Sequence, residues 1–393
     1  MSKKQKQPTI AQIIPSLNSG GVERGVIDIS IFLKEHNFRP IVISSGGKML
    51  NLLKKNNITH IRFDVKSKNP FKIYTNIKNL QKIIKKYQID IIHVRSRAPM
   101  ISAFFACKKT KTKLISTVHG TYSTNFIFGK NSLIKKLYNQ FMLKGDFVIA
   151  VSNYIKDYLS QNYPKKFTLL NDDNFKVISR GVDLDSFNLK KITKKRCDDL
   201  KQKWQIKNEK RKIIFMPARF TSWKGHEFLI EALANIREDF LCIMAGSNHG
   251  HEDYQQRLIK KIKDLRLSNK IKIVENCSDM PAGYKICDFV VAPSIRPEAF
   301  GRIPIEAGAC QKPVIATNIG GFLETIIDGK TGFIVEVSNL QQLQIAVSKL
   351  LNLNSKDLEK IGLTARKNIE ENFSNKKMCE NTLEIYKKLV TNL

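Results

Sequence analysis

The chain has 393 residues, 42% hydrophobic and 26% charged, which suits two cores of ordinary domain size and argues against global disorder. No apolar run reaches the ~18 residues of a membrane-spanning helix, and the basic start Met1–Gln7 leads into a short strand rather than a secretory signal. Seven scattered cysteines without a C-x-x-C pair point away from a disulfide framework or zinc knuckle and toward a reducing cytoplasm.

Taken in order, short apolar runs alternate with helical periodicity, the pattern of successive βαβ units and a parallel sheet. In the first half, strands are expected at Ile10–Ile14, Arg39–Ser44, His60–Phe63, Ile89–Val94, Lys113–Val118 and Asp146–Val151. Helices between them include Gly25–Leu33, Phe71–Tyr87 and Ser132–Leu143. The second half repeats the plan, with strands near Lys212–Ala218, Phe240–Ala245, Lys270–Val274, Phe289–Ala292, Pro313–Thr317 and Gly332–Val335. The polar, lysine-rich stretch Leu184–Lys210 reads as a linker and hinge. The expected organisation is a first domain over 1–185, linker and second domain over 186–374, and a terminal helix over 375–393 that packs back toward the first domain. Each domain is an α/β, Rossmann-like, doubly wound parallel sheet, and the two are expected to face each other across a cleft. In such sheets ligands bind beyond the carboxyl ends of the strands, so functional residues belong in the strand-to-helix loops.

The net charge of +32 is unevenly placed. Residues 1–190 hold 33 Lys/Arg against 11 Asp/Glu, and residues 191–393 hold 34 against 24. A cationic first half suits an anionic membrane or polymer, although solvated lysines are the plainer account. No nucleic-acid-binding module is visible, and the basic residues are not interleaved with aromatics in a stacking pattern, so no specific nucleic-acid partner is expected.

The most informative segment is Pro293-Ser-Ile-Arg-Pro-Glu298-Ala299-Phe300-Gly301-Arg-Ile-Pro-Ile-Glu306-Ala. It follows a buried strand and separates two carboxylates by seven residues. With a helix starting near Phe300–Gly301, its exposed amides suit an anionic diphosphate. Glu306 falls in the second turn, placed to accept hydrogen bonds from ribose hydroxyls, and Glu298 lies nearer the sugar. Alone, such a pair is more often a solvated carboxylate and a helix-start carboxylate.

This segment resembles the E-x7-E signature of the retaining glycosyltransferases of family 4, which have the GT-B fold. Five further segments extend the resemblance along most of the chain: Asn18-Ser-Gly20-Gly21-Val-Glu, Thr117-Val-His119-Gly120, Arg180-Gly-Val-Asp183, Ala218-Arg219-Phe-Thr-Ser-Trp-Lys224-Gly, and Gly320-Gly321-Phe-Leu-Glu324 with Asp328-Gly-Lys-Thr-Gly332. It implies a sugar moved from a nucleotide-diphosphate donor, with the donor on the C-terminal domain and the acceptor on the N-terminal domain. Arg219 and Lys224 would hold the diphosphate. Arg219 offers a planar fork and Lys224 a compact ammonium, and both can meet the negative charge that grows on the leaving oxygen without a metal. Gly20 and Gly21 would lie beside the reacting centre, and His119 would contact the transferring sugar rather than act as a general base. No protein nucleophile is implied, and internal return on one sugar face is. No cofactor and no metal are expected. Asp183-Leu-Asp185 has the form of a metal–nucleotide motif but sits inside a family segment, and His249-Gly-His251 has no further ligands around it.

The stretch Asn276–Tyr284, continued in Pro297–Gly301, resembles a bacterial subgroup that builds lipopolysaccharide core or related envelope glycans. That implies a lipid-linked acceptor and peripheral contact with the inner face of the cytoplasmic membrane through the basic N-terminal domain. Where the family commonly carries glycine near the nucleobase, this chain has Glu275-Asn276. Competing readings are nucleotide-sugar epimerisation on the same fold, which would need donor alone, and a non-catalytic basic protein that binds nucleic acid or anionic membrane.

Overall fold

The computed structural model describes residues 7–18, 20–67, 69–122, 133–206, 209–247, 250–275 and 277–391. The chain divides into two compact units, Met1–Arg180 with Asn375–Leu393, and Gly181–Ser374. Both are doubly wound parallel sheets, the GT-B plan expected from the sequence.

In the first unit the strands are β1 (Thr9–Ile13), β2 (Arg39–Ser44), β3 (Thr59–Arg62), β4 (Ile91–Val94), β5 (Lys113–Val118), β6 (Phe147–Ala150) and β7 (Phe175–Val177). Their order across the sheet is β3-β2-β1-β4-β5-β6-β7, all parallel. In the second unit β8 (Lys212–Pro217), β9 (Phe240–Gly246), β10 (Ile271–Glu275), β11 (Phe289–Ala292), β12 (Val314–Thr317) and β13 (Gly332–Val335) are ordered β10-β9-β8-β11-β12-β13. The order reverses between β1 and β4 in one sheet and between β8 and β11 in the other. At such a point the loops run to opposite faces and leave a crevice at the carboxyl ends of the strands.

Central strands are buried on both faces, which is why they read as unbroken apolar runs: every residue of β1, β4, β6, β11 and β12 is buried. β7 was not anticipated. It has three residues, none fully buried, and so carries no apolar run. The terminal helix Asn375–Thr391 belongs to the first unit, where Met378, Leu383, Ile385, Tyr386 and Leu389 join Ile10, Ile91, Ile115 and Phe147 in one core.

Residues 184–210 are not the simple linker that their polarity suggests. The helix Lys194–Lys203 forms within them, with Thr193 accepting a hydrogen bond from Arg196 N. Cys197, Leu200, Trp204 and Ile206 are buried in the core of the second unit with Phe215 and Tyr284. Arg196 makes a bidentate pair with Asp279 at 2.7 Å on each branch. Lysines on the outer face lower the mean hydropathy and hide the narrow apolar stripe. In the segment 132–144, the helix Leu133–Gln140 forms, and its Leu137 is 52% exposed. Ser132 lies outside the described residues. Among the described residues, no helix is long and apolar enough to cross a membrane.

Candidate functional site

The reversal point of the second unit gathers the residues singled out at β8 and β11. After β11 the chain turns through Pro293–Phe300 into the helix Arg302–Ala309, with Gly301 at its N-cap. Glu298 is held from two sides: Lys224 Nζ pairs with its Oε1, and Ser294 Oγ donates to the same oxygen at 3.0 Å. Ser294 is buried, and its carbonyl accepts from Thr317 Oγ1 at 2.6 Å, at the end of β12. The Lys224 ammonium also lies 4.2 Å from the centroid of the Trp223 ring.

Backbone pairing fixes the same loop. Glu298 and Gly320 form a bridge, and Gly321 N donates to Glu298 O at 2.8 Å. Gly320 has φ +61, and a Cβ there would lie 2.3 Å from Glu298 O. Only glycine allows both the left-handed conformation and this approach. Phe300 contributes backbone alone, since its ring is buried against Phe373 at 5.9 Å. Ala299 is half-buried beside it.

Glu306 sits one turn into the helix with both oxygens engaged. Arg302 Nε donates to Oε1 at 2.9 Å, and Tyr284 OH donates to Oε2 at 3.1 Å. Burial, reinforced by the neighbouring carboxylate, holds the Tyr284 hydroxyl well above its ordinary pKa, so it stays a proton donor. Tyr284 is fully buried on the short helix Met280–Ile286, whose start is capped by Asp279 accepting from Ala282 N at 3.0 Å. Sequence reasoning gave it no role. Its one signal was an aromatic hydroxyl in a short, largely apolar helix. Arg219, by contrast, follows β8 as an exposed cation, with no ion pair among the described residues.

Asp183-Leu-Asp185 is a turn. Asp183 Oδ1 accepts from the amides of Asp185 and Ser186 at 3.0 and 3.1 Å, and Asp185 pairs with Lys191 at 2.7 Å. Among the described residues no three His, Cys, Asp or Glu side chains gather as a metal cluster; His249 lies outside the described residues.

The reversal point of the first unit holds a pocket of about 390 Å³ lined by Pro15, Glu23, Arg95, Arg97, His119 and Tyr122 among others. Gly20 is the N-cap of the helix Gly21–Glu35, with the Glu23 carboxylate folded over it, and Gly21 O accepts from the Arg180 guanidinium. Burial pushes the Glu23 carboxyl upward, opposed by its own backbone amide and by Arg180. His119 directly follows β5 and is half-buried. Burial first, then Arg180 and Arg95, hold its imidazole well below the usual range, so it is neutral at pH 7, and its Nε2 has no hydrogen-bond partner among the described residues. Arg95, which sequence reasoning passed over, lies directly after β4 in the same wall. Lys224, Glu298 and Glu306 therefore belong to one constellation in the second unit, and Gly20, Gly21 and His119 to another in the first.

Residues 19–186 match the family described as Glycosyltransferase Family 4, and residues 198–368 match Glycosyl transferases group 1. A glycosyltransferase from Rickettsia africae ESF-5 has a crystal structure 42% identical in sequence, with a TM-score of 0.88 over 99% of this chain and 100% of that one. HepE from Anabaena, solved with UDP and glucose, superposes with a TM-score of 0.81 over 97% of this chain and 100% of its own, at 22% identity. The capsular polysaccharide biosynthesis glycosyltransferase CapM of Staphylococcus aureus is 26% identical across 96% of this chain and 95% of its own length.

Proposed function

The chain belongs to the group 1 glycosyltransferases, with a family 4 N-terminal half, and on that premise we propose that it moves a hexose from a nucleotide-diphosphate sugar to a glycan or glycolipid acceptor of the cell envelope, with retention and without a metal. The observation that carries this reading is the Lys224–Glu298 pair locked by Ser294 at the end of β11. A lysine held at that place is ready to meet a diphosphate, and the exposed Arg219 supplies the second cation. Together they stabilise charge as it develops on the leaving phosphate. Glu306, oriented by Tyr284 and Arg302, accepts from the ribose hydroxyls. The Glu298 carboxylate and the backbone of Ala299, Phe300 and Gly301 bind the sugar.

On the first unit, neutral His119 beside Gly20 and Gly21 contacts the transferring sugar by a hydrogen bond without adding charge. The HepE complex with UDP and glucose supports the nucleotide-sugar class, and the name of CapM supports an envelope glycan. The excess charge of residues 1–190 supports contact with an anionic membrane. Vesicle flotation tests that contact: anionic vesicles should retain the protein and salt should release it, whereas equal retention on neutral vesicles would remove it. The enzymatic reading is tested by product analysis with UDP-glucose, GDP-mannose and related donors in EDTA. Transfer with retained anomeric configuration is expected, and a strict requirement for added divalent metal would overturn the metal-free part.

A further inference from the structure

Arg95 presents a charge that the fold does not balance. It is 3% exposed, and an arginine keeps its proton in any protein environment. Its neighbours are neutral. Arg95 Nη1 lies 3.2 Å from His93 Nε2 and 3.4 Å from Thr117 Oγ1, and its Nε has no partner among the described residues. His93 also contacts Tyr386 OH at 2.5 Å through Nδ1 and Thr117 Oγ1 at 2.7 Å through Nε2. Burial and Arg95 itself hold that imidazole uncharged. Among the described residues no carboxylate pairs with Arg95, whereas buried charges are ordinarily paired.

A second, independent observation points to the same place. The 14-residue helix Arg97–Thr110 starts at this wall, its N-cap Ser96 makes no side-chain capping bond, and its first turn holds no acid. Arg95, Ser96 and Arg97 all line the 390 Å³ pocket. An uncapped helix start and an unbalanced buried guanidinium both favour an anion. Arg97 is already committed, donating to Asn139 Oδ1 at 2.8 Å and lying 4.3 Å from the Tyr122 ring centroid. Among the described residues Glu23 is the one acidic residue that lines the pocket, and it is turned over Gly20.

We propose that the pocket at the carboxyl ends of β1, β4 and β5 binds an anionic group of the acceptor, a phosphate or carboxylate, with Arg95 as its counter-ion. This rests on the reading that places the acceptor on the first unit. It makes the acceptor an acidic or phosphorylated sugar rather than a neutral one, and Arg95 sets that preference.

The test is calorimetric titration of the full chain with inorganic phosphate, glucose 6-phosphate, glucose and UDP, in the wild type, Arg95→Met and Glu23→Gln. Phosphate and glucose 6-phosphate should bind the wild type and glucose should not. Arg95→Met should weaken both anions by at least about tenfold, the loss of one hydrogen bond to a charged group, while UDP affinity stays within about twofold. Glu23→Gln, which removes the pocket's own carboxylate, should tighten both anions, and it carries the test should Arg95→Met fail to fold. Glucose binding as well as glucose 6-phosphate, or anion affinities unchanged in both variants, would overturn the proposal. So would a parallel loss of UDP affinity in Arg95→Met, which would assign the anion to the donor diphosphate. Sugar phosphate binding without any UDP binding would instead defeat the donor reading and leave this pocket standing.

Discussion

At the end of β11 in the second unit, each carboxylate has a donor: Glu298 has Lys224 and Ser294, and Glu306 has Arg302 and Tyr284. At the end of β4 in the first unit, Arg95 has, among the described residues, a neutral histidine and a hydroxyl as its partners. The two sheets use the same reversal of strand order, yet in one crevice the carboxylates are paired and the spare cation, Arg219, is exposed, whereas in the other the cation is buried with no carboxylate partner among the described residues. A balanced site keeps its shape without ligand and holds its cations in place for a polyanion. An unbalanced one carries a standing cost that a ligand can offset. The second arrangement is less stable and more selective.

The largest test of this contrast is Lys224→Ala. It removes a cation from the diphosphate and leaves Glu298 without its pair, so kcat/KM for the donor should fall by about a hundredfold or more, matching the ~1.5–3 kcal/mol of a charged hydrogen bond plus the unpaired carboxylate. A drop below threefold in initial-rate assays would show that the pair is structural alone.

Acid should loosen the second unit through His226. It is buried beside Phe220 and Tyr254, and burial lowers its pKa to about 4. The folded value lies below the unfolded 6.5, so the unfolded chain binds the extra proton, and stability is complete above pH 6.5 and lost as pH falls toward 4. The span corresponds to on the order of 3 kcal/mol. Melting temperatures between pH 4 and 7 should show this fall, and His226→Phe should flatten it. In the first unit His93 and His119 are held neutral by burial and neighbouring arginines, so they add to the acid sensitivity with the same sign.

Tyr284→Phe sharpens the picture of the balanced site. Losing one hydrogen bond to the Glu306 carboxylate should weaken nucleotide binding about tenfold or less and lower stability by ~1–2 kcal/mol. Unchanged nucleotide affinity would separate Glu306 from the ribose. The smallest effect has the opposite sign. Arg95→Met removes an unbalanced buried charge and should raise stability by roughly 1 kcal/mol, whereas a fall in chemical-denaturation midpoint would show that Arg95 is balanced by the fold itself.

Twelve of the thirteen strands were legible because buried parallel strands write themselves as apolar runs, β7 being the exception, and the segments of Lys224 and of Glu298 and Glu306 because each follows such a strand. Three further features were not. The helix Lys194–Lys203 is masked by surface lysines, although Trp204 ends it in the core. Tyr284 reaches Glu306 across 22 positions, a contact that only the fold creates. Arg95 reads as one more cation among many. Its burial depends on β1 and β5 on either side and on Tyr386, 293 positions from His93, closing the wall from the terminal helix.

The most direct test of the central claim is thermal stability against UDP, GDP and ADP with EDTA present, in the wild type and Arg219→Ala. At a hundred times its dissociation constant, a nucleotide bound only to the folded state should stabilise it by ~2.7 kcal/mol. One nucleotide that raises the melting temperature in EDTA, and loses that effect in Arg219→Ala, is the predicted result. No shift with any nucleotide, or a shift that survives Arg219→Ala unchanged, would contradict a donor site built on Arg219 and Lys224.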